Sequence, residues 1–289
     1  MREQFRSKRF NSKSRYLLGK CLIILNEYEQ KNIKVTLRQL YYQLVARGII
    51  PNYDKEYKKI SGLLTDARYC GIADWDAIED RIRIPYRHSQ FENILDLVET
   101  AKYSYRLDRW EDQEYYVEFF TEKDALSSVL QPICDSWHIY LNVNRGYSSA
   151  TAYYDVSKRF LEQNGKKCIV LYFGDHDASG LDMIRDIRER LSEFGCSIDV
   201  IPIALTMDQV RKYNPPPNPA KLTDPRAKWY ISNFGRTSWE VDALPPDVMI
   251  DLVNSKIKEF VDIEKMNKIK KQEIDDMKEL EDFAENLGD

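Results

Sequence analysis

The chain has 289 residues, of which 43% are hydrophobic, and a formal net charge of −4 at pH 7. This length allows two modest domains with real cores. No apolar run approaches the ~20 residues of a membrane span, and the basic N-terminus lacks a signal-peptide core. We therefore expect a soluble, intracellular (cytoplasmic) protein with no membrane partner. The five cysteines include no Cys-x-x-Cys pair, which argues against a disulfide framework or a zinc knuckle.

Charge is distributed unevenly along the chain. Residues 1–70 carry 15 Lys and Arg against 6 Asp and Glu, which leaves a net charge of about −13 for the rest. A basic module of this kind can hold a nucleic-acid backbone on an otherwise acidic protein. An ordinary solvated charged surface is the alternative interpretation.

The first 80 residues predict a basic arm (1–14) and a helical module (15–80). Helical patterns begin at Arg15, after the N-cap candidate Thr36, and at Lys55. Three short helices with a basic face resemble a helix-turn-helix or winged-helix module, although many such bundles bind proteins instead. The candidate phosphate contacts of this region are Arg2, Arg6, Lys8, Arg9, Lys13, Arg15, Lys55, Lys58, Lys59 and Arg68.

A connector with one helix is predicted over 81–112, and an α/β domain over 113–247. Four strand-like stretches, "YYVEFFTE", "HIYLNVN", "KKCIVLYFGD" and "SIDVIPIAL", alternate with helical patterns, which predicts a parallel sheet covered on both faces. Arg145 and Tyr147, after the second strand, are further candidates for DNA contact, unless that loop simply starts the next helix. Residues 248–289 predict a charged helix that is solvated or serves as an oligomerisation arm.

Acidic residues follow two strands of the predicted sheet. Glu122 ends the first strand, and Asp175 and Asp177 end the third. The carboxyl ends of parallel strands face one crevice, and a cation relieves the repulsion between clustered carboxylates. Oxygen ligands without nearby His or Cys suit Mg²⁺. Because side chains alternate between the two sides of an extended strand, Asp175 and Asp177 should point to one side and His176 to the other. Gly180 permits a tight turn into the next helix. The alternative to a metal site is that one aspartate of this pair caps the next helix and the other is a surface acid.

The second helix carries two adjacent tyrosines. Its apolar spacing makes Tyr41 a packing residue and places Tyr42 on the outward face, beside Arg38. An exposed tyrosine beside arginine is commonly an ordinary surface residue. A neighbouring guanidinium and a metal-bound phosphate could instead favour attack by the phenol on phosphorus.

The motifs "EKDAL" and "GDHDASG" resemble the Toprim domain of topoisomerases, primases and some nucleases. The preceding "TLRQLYYQLVARG" resembles the nucleophile region of the topoisomerase VI A subunit and its meiotic double-strand-break relatives. Because "NRGYSS", "PPNPAK" and "WEVDALPP" also resemble that family, the similarity spans roughly residues 35–247. The chain is short for an A subunit and its C-terminal helix has no counterpart, so it is most similar to the reduced, stand-alone mini-A homologues.

The resemblance implies an α+β fold with an N-terminal winged-helix (CAP-like) module, an α/β Toprim domain and a C-terminal helix. It implies that Tyr42 is the nucleophile with Arg38 as its neighbour, and that Glu122, Asp175 and Asp177 hold Mg²⁺. Glu122 would also assist proton transfer. The implied activity is that of a type IIB topoisomerase, which forms a double-strand break with 5′-phosphotyrosyl ends.

The resemblance also implies partners: double-stranded DNA, which would associate the protein with the nucleoid, and a second copy of the chain. In such a homodimer, the tyrosine of one subunit reaches the metal site of the other. No GHKL ATPase motif is present, so ATP-driven strand passage would need a separate, B-like ATPase subunit. Two alternatives stay open: a Toprim nuclease in which water attacks, and a DNA-binding dimer that does not cleave.

Overall fold

The computed structural model describes residues 2, 4–75, 77–78, 90–143 and 150–285. The candidates Arg145 and Tyr147 lie outside these residues. The structure is a mixed α/β fold that contains a four-stranded sheet of parallel strands. Within the described part, no helix has the length and apolar character that crossing a membrane requires.

Three helices form the helical module, as the sequence predicts. They are α1 (Ser12–Glu29), α2 (Leu37–Ala46) and α3 (Asp54–Tyr69). The predicted cap of α2 is confirmed: Thr36 accepts a hydrogen bond from the backbone N–H of Gln39, whose side chain accepts one from the Thr36 N–H. The three helices bury one apolar core, whose fully buried members include Cys21, Leu40, Leu44, Ile60 and Ala67.

The basic segment before α1 packs on the module instead of standing free as an arm. The backbone N–H groups of Phe5 and Arg6 donate to the carbonyl oxygen of Tyr69 at 2.8 and 2.9 Å. The ring of Phe5 contacts Tyr69 and Trp75 edge to face. These contacts satisfy backbone groups and cover aromatic surface at the end of α3, which explains why the segment follows the module closely.

The described part of the connector, residues 90–112, contains one helix, as predicted. Helix α4 (Ile94–Ser104) lies along the C-terminal helix α11 (Ile263–Glu285). Arg109, just after α4, pairs with Glu273 of α11, and the Glu273 side chain is only 3% exposed.

The sheet has the strand order β2-β1-β3-β4, and all its pairings are parallel. The predicted strands are confirmed as β1 (Tyr115–Thr121), β2 (Tyr140–Val143), β3 (Lys167–Phe173) and β4 (Ile198–Ala204). Three helices connect them: α5 (Ser127–Trp137), α6 (Ala150–Leu161) and α7 (Ala178–Glu193).

Both faces of the sheet are covered, as a parallel sheet requires. Along β1, Val117 and Phe119 belong to one core, whereas Tyr116 and Phe120 belong to the other. This alternation places an apolar cluster on each side of the sheet.

The chain after β4 returns to the carboxyl edge of the sheet. It forms α8 (Met207–Tyr213), the short antiparallel pair β5 (Asn218–Pro219) and β6 (Thr237–Ser238), and α9 (Ala227–Phe234) between them. A single helical turn, Val241–Ala243, follows β6. This turn packs against α2 and so joins the helical module to the sheet domain, the name used here for residues 115–258.

The region 248–289, predicted as one charged helix that is solvated or an oligomerisation arm, differs from that prediction in the number of its helices and in the burial of the first. The region contains α10 (Pro246–Lys258) and α11, and α10 packs against α5 and β4. Met249, Val253 and Ile257 of α10 are fully buried in a core that they share with the sheet. The densely charged α11 dominates the composition of this region and hides the apolar stripe of α10, although the residues of the stripe recur at helical spacing.

Candidate functional site

The predicted acids lie at one edge of the sheet because β1 and β3 are neighbours. The two strands end in register, with Thr121 opposite Phe173. Glu122 follows the first strand, and its carboxylate accepts a hydrogen bond from the Asp175 backbone N–H at 3.0 Å. The prediction that these acids share one crevice is confirmed for Glu122 and Asp175.

Asp177 begins α7. Its side chain accepts a hydrogen bond from the Gly180 N–H at 2.8 Å, as an N-cap does. A Cβ atom at Gly180 would lie 2.2 Å from the carbonyl oxygen of Asp175, so the turn admits only glycine. His176 points away, as predicted, and its ring packs on Tyr230, Phe234 and Trp239.

Burial raises the pKa of two of these carboxyl groups, because a desolvated carboxylate is less stable than a neutral acid. Asp175 is 8% exposed, and burial raises its pKa well above the usual range, with Lys123 opposing the shift and Glu122 adding to it. Burial likewise raises the pKa of Glu122, and the charge of Asp177 adds to that effect. The site therefore favours a compensating positive charge.

A lysine supplies positive charge to this site. The Lys123 ammonium lies 2.8 Å from Asp175 Oδ2, 3.0 Å from Glu240 Oε2 and 3.3 Å from Asp242 Oδ1. Burial opposes the charge of Lys123, but Asp175, Asp242 and Glu240 outweigh burial and raise the pKa of its ammonium above the usual range. Glu240 and Asp242 belong to the segment that returns to the sheet edge after β6.

The donor types at the strand ends fit Mg²⁺, which prefers carboxylate oxygens. Each of the three predicted ligands, however, has an oxygen committed to a backbone N–H: Glu122 to Asp175, Asp175 to Val241 at 2.8 Å, and Asp177 to Gly180. Among the described residues, no group of three His, Cys, Asp or Glu side chains is arranged to hold a metal ion. The ligands are thus of the right chemistry but are not preassembled.

The prediction that Tyr42 is exposed is wrong. Its side chain is 4% exposed, like that of Tyr41 at 5%, because α2 is covered on both sides. One side faces the core of the helical module, and the Val241–Ala243 turn packs against α2. Burial raises the pKa of the Tyr42 phenol above its usual range; Glu240 adds to the shift, and Arg38 opposes it.

Arg38 lies beside Tyr42, as predicted, with its guanidinium carbon 5.8 Å from the centroid of the ring. It also forms ion pairs with two acids of the sheet domain. One is with Glu240, and the other joins Arg38 Nε to Asp242 Oδ2 at 2.7 Å. Arg38 and Lys123 therefore share the same two acidic partners, which joins the tyrosine helix to the strand ends.

A cavity of about 240 Å³ lies where the helical module meets the sheet domain. Arg38 and Tyr42 line it from α2, and Asp177 and Glu240 line it from the sheet domain. A chain of amides and a phenol also borders the cavity: Tyr41 donates to Asn52 at 2.8 Å, and Asn52 donates to Asn218 at 2.6 Å. The predicted nucleophile and one predicted metal ligand thus meet in one space of one chain.

The predicted DNA contacts differ in their exposure. Six of the candidates are exposed: Arg9, Lys13, Arg15, Lys55, Lys58 and Lys59. Arg68 is not fully available, because its guanidinium donates to the carbonyl oxygen of Ile78 at 3.0 Å and lies 5.8 Å from the Trp75 ring. Of the remaining candidates for phosphate contact near the N-terminus, Arg2 is exposed, Arg6 stacks on Tyr69 and Lys8 pairs with Asp66.

Sequence reasoning missed three residues of the site: Lys123, Glu240 and Asp242. Lys123 directly follows Glu122, and Glu240 and Asp242 repeat the i, i+2 spacing of Asp175 and Asp177. These patterns were visible in the sequence. What it did not indicate was that the segment after β6 returns to the ends of β1 and β3. Comparison of the chain with protein-family models, with curated proteins and with solved structures gave no match.

Proposed function

We propose that this protein is a Mg²⁺-dependent, DNA-cleaving transesterase that resembles the topoisomerase VI A subunit. In this proposal the helical module is a winged helix, the sheet domain is a Toprim domain, and two copies act on double-stranded DNA. One observation carries the proposal: Tyr42 and Arg38 line the same cavity as Asp177 and Glu240. A hydroxyl nucleophile, a guanidinium and carboxylates in one cleft suit attack on a phosphodiester.

In the proposed reaction, Tyr42 Oη forms a bond to phosphorus while the bond between phosphorus and the 3′ oxygen breaks. The product is a 5′-phosphotyrosyl end and a free 3′ hydroxyl. The phenolic proton ends on the departing 3′ oxygen, and Glu122, a carboxyl whose pKa burial raises, would assist that transfer. Arg38 exchanges an acidic partner for the phosphate, to which a guanidinium donates paired hydrogen bonds.

Glu122, Asp175 and Asp177 are the residues that would hold Mg²⁺, which when bound supplies charge stabilisation to the phosphate. The exposed basic side chains before α1, at the start of α1 and on α3 are the proposed contacts with the DNA backbone. Lys55 and Lys58 are exposed on α3. Their contribution should weaken as salt concentration rises.

A second candidate is a nuclease in which water attacks the phosphodiester. The burial of Tyr42 favours it, because a phenol that is 4% exposed and has a raised pKa resists ionisation. In that case Tyr42 only packs against Arg38. The two candidates predict different products, since only the transesterase leaves protein attached to DNA.

The test is cleavage of supercoiled plasmid with Mg²⁺, stopped with detergent and analysed with and without protease. Wild type, Tyr42→Phe, Tyr41→Phe and Asp177→Asn are compared. The proposal expects protein-linked breaks that Tyr42→Phe abolishes and Tyr41→Phe retains, because Tyr41 is held by Asn52. Protein-free breaks that survive in Tyr42→Phe would support the water-using nuclease, and the absence of breaks in the wild type would contradict both.

A further inference from the structure

Lys123 occupies the centre of the carboxylate cluster at the sheet edge. Its side chain is 16% exposed, and its ammonium contacts Asp175, Glu240 and Asp242 within 3.3 Å. Of the three partners, Asp242 is completely buried, with 0% of its side chain exposed. A cation in this position is built into the site, because a buried carboxylate without a partner is costly.

Lys123 fixes the orientation of a proposed metal ligand. Asp175 Oδ2 accepts from the Lys123 ammonium at 2.8 Å, and Asp175 Oδ1 accepts from the Val241 N–H at 2.8 Å. These two contacts fix the orientation of both carboxylate oxygens of Asp175. Since Val241 lies between Glu240 and Asp242, the same short segment supplies a hydrogen bond to Asp175 and two acids to Lys123.

Lys123 also connects the strand ends to the tyrosine helix. Glu240 and Asp242 each pair with Lys123 and with Arg38. A continuous series of ion pairs therefore runs from Asp175 through Lys123 and the two acids to Arg38 beside Tyr42. Movement of any member changes the position of the next.

We infer that Lys123 is a positioning residue. Its ammonium occupies a cation position among Asp175, Glu240 and Asp242, and it aligns Asp175 with α2, the helix that carries Tyr42. The expected effect of Lys123 on cleavage rests on the proposed function. The expected effect of Lys123 on metal binding does not. Within the part of the chain that the structure describes, two cations, Lys123 and Arg38, pair with Asp175, Glu240 and Asp242. Without Lys123 the cluster has two uncompensated negative charges, which attract a divalent ion more strongly.

The experiment measures two quantities on the full chain: the affinity for Mn²⁺, read from the electron paramagnetic resonance of the free ion, and the cleavage rate at saturating Mg²⁺. The variants are Lys123→Met and Lys123→Arg. Lys167→Met is the matched control, because Lys167 is 66% exposed, pairs with Glu114 and begins β3 at the opposite end of the strand. Thermal unfolding of each variant verifies that it folds, and Lys123→Gln replaces Lys123→Met if the latter does not.

The inference expects Lys123→Met to bind Mn²⁺ about tenfold more tightly, because a nearby positive charge is gone, and to cleave at least about tenfold more slowly, because alignment is lost. Lys123→Arg should stay within about threefold of wild type in both, since it keeps the charge, and Lys167→Met should match wild type. Tighter binding with slower cleavage separates positioning from a merely structural role, which would weaken both.

Unchanged or weaker Mn²⁺ binding in a folded Lys123→Met protein would overturn the inference. Equally tight binding by Lys123→Met and Lys123→Arg would also overturn it, because the charge would then not be responsible. If the wild type makes no protein-linked breaks, the proposed function fails, yet tighter Mn²⁺ binding by Lys123→Met would still support the place of Lys123 among the acids.

Discussion

Replacing Glu240 by glutamine removes one charge from the junction between the helical module and the sheet domain. The Glu240 side chain is 22% exposed and pairs with both Arg38 and Lys123. Burial alone would raise the pKa of this carboxyl, but Lys123 and Arg38 outweigh burial and lower it from 4.5 to about 2. The charged form is therefore favoured by folding.

The size of this effect follows from the shift. A pKa lowered by about 2.5 contributes about 3 kcal/mol to the free energy of unfolding, at about 1.4 kcal/mol per unit. Because the folded pKa is depressed, this stability is fully present above about pH 4.5 and is lost as the pH falls toward about 2. By pH 3 about 2 kcal/mol of it should be gone.

Urea unfolding of wild type and Glu240→Gln, followed by circular dichroism from pH 7 to pH 3, measures the difference. We expect Glu240→Gln to be less stable by about 3 kcal/mol at pH 7 and the gap to narrow at acid pH. The matched control is Glu259→Gln, because Glu259 is 56% exposed and pairs with Lys256 in the last turn of α10; we expect a change under about 0.5 kcal/mol. A gap below about 1 kcal/mol at pH 7, or one that stays constant with pH, would refute the reasoning.

Three further predictions concern the fold, and urea unfolding at pH 7 measures each. Val253→Ala should cost about 2 kcal/mol, because Val253 of α10 is 0% exposed; no loss would contradict its place in the core. Arg109→Met should cost about 3 kcal/mol, because it leaves the Glu273 carboxylate, 3% exposed, without its cation; a neutral result would argue against that pair. Phe5→Ala should cost no more than about 1 kcal/mol, because Phe5 is 61% exposed; a larger loss would mean that the docked segment organises α3.

The sheet could be predicted because its signals are local. Apolar β-prone runs alternate with helical patterns, and this alternation permits few topologies other than a parallel sheet with helices on both faces. The meeting of Glu122 and Asp175 then follows, because strands that are parallel and adjacent end at the same edge. The pairing of β1 with β3 is itself a long-range contact, which the local signals do not supply.

The rest of the site depends on contacts between distant segments. A helical wheel identifies the apolar face of α2, but it cannot show that the Val241–Ala243 turn covers α2 as well, which is why the exposure of Tyr42 was mispredicted. The same applies to Lys123, because two of its three acidic partners, Glu240 and Asp242, come from a segment over a hundred residues later in the chain. The role of α10 was hidden for a different reason, since the densely charged α11 dominates the composition of the C-terminal region.

The most direct test of the proposed function is the chemical identity of the DNA adduct. After incubation with duplex DNA and Mg²⁺, denaturation and nuclease digestion, trypsin should release residues 39–47, which follow Arg38, end at Arg47 and contain both Tyr41 and Tyr42. Fragment-ion mass spectrometry then locates any attached nucleotide. We predict a 5′-phosphate adduct on Tyr42 that is absent from Tyr42→Phe; breaks that form without an adduct, or an adduct on Tyr41, would contradict the account.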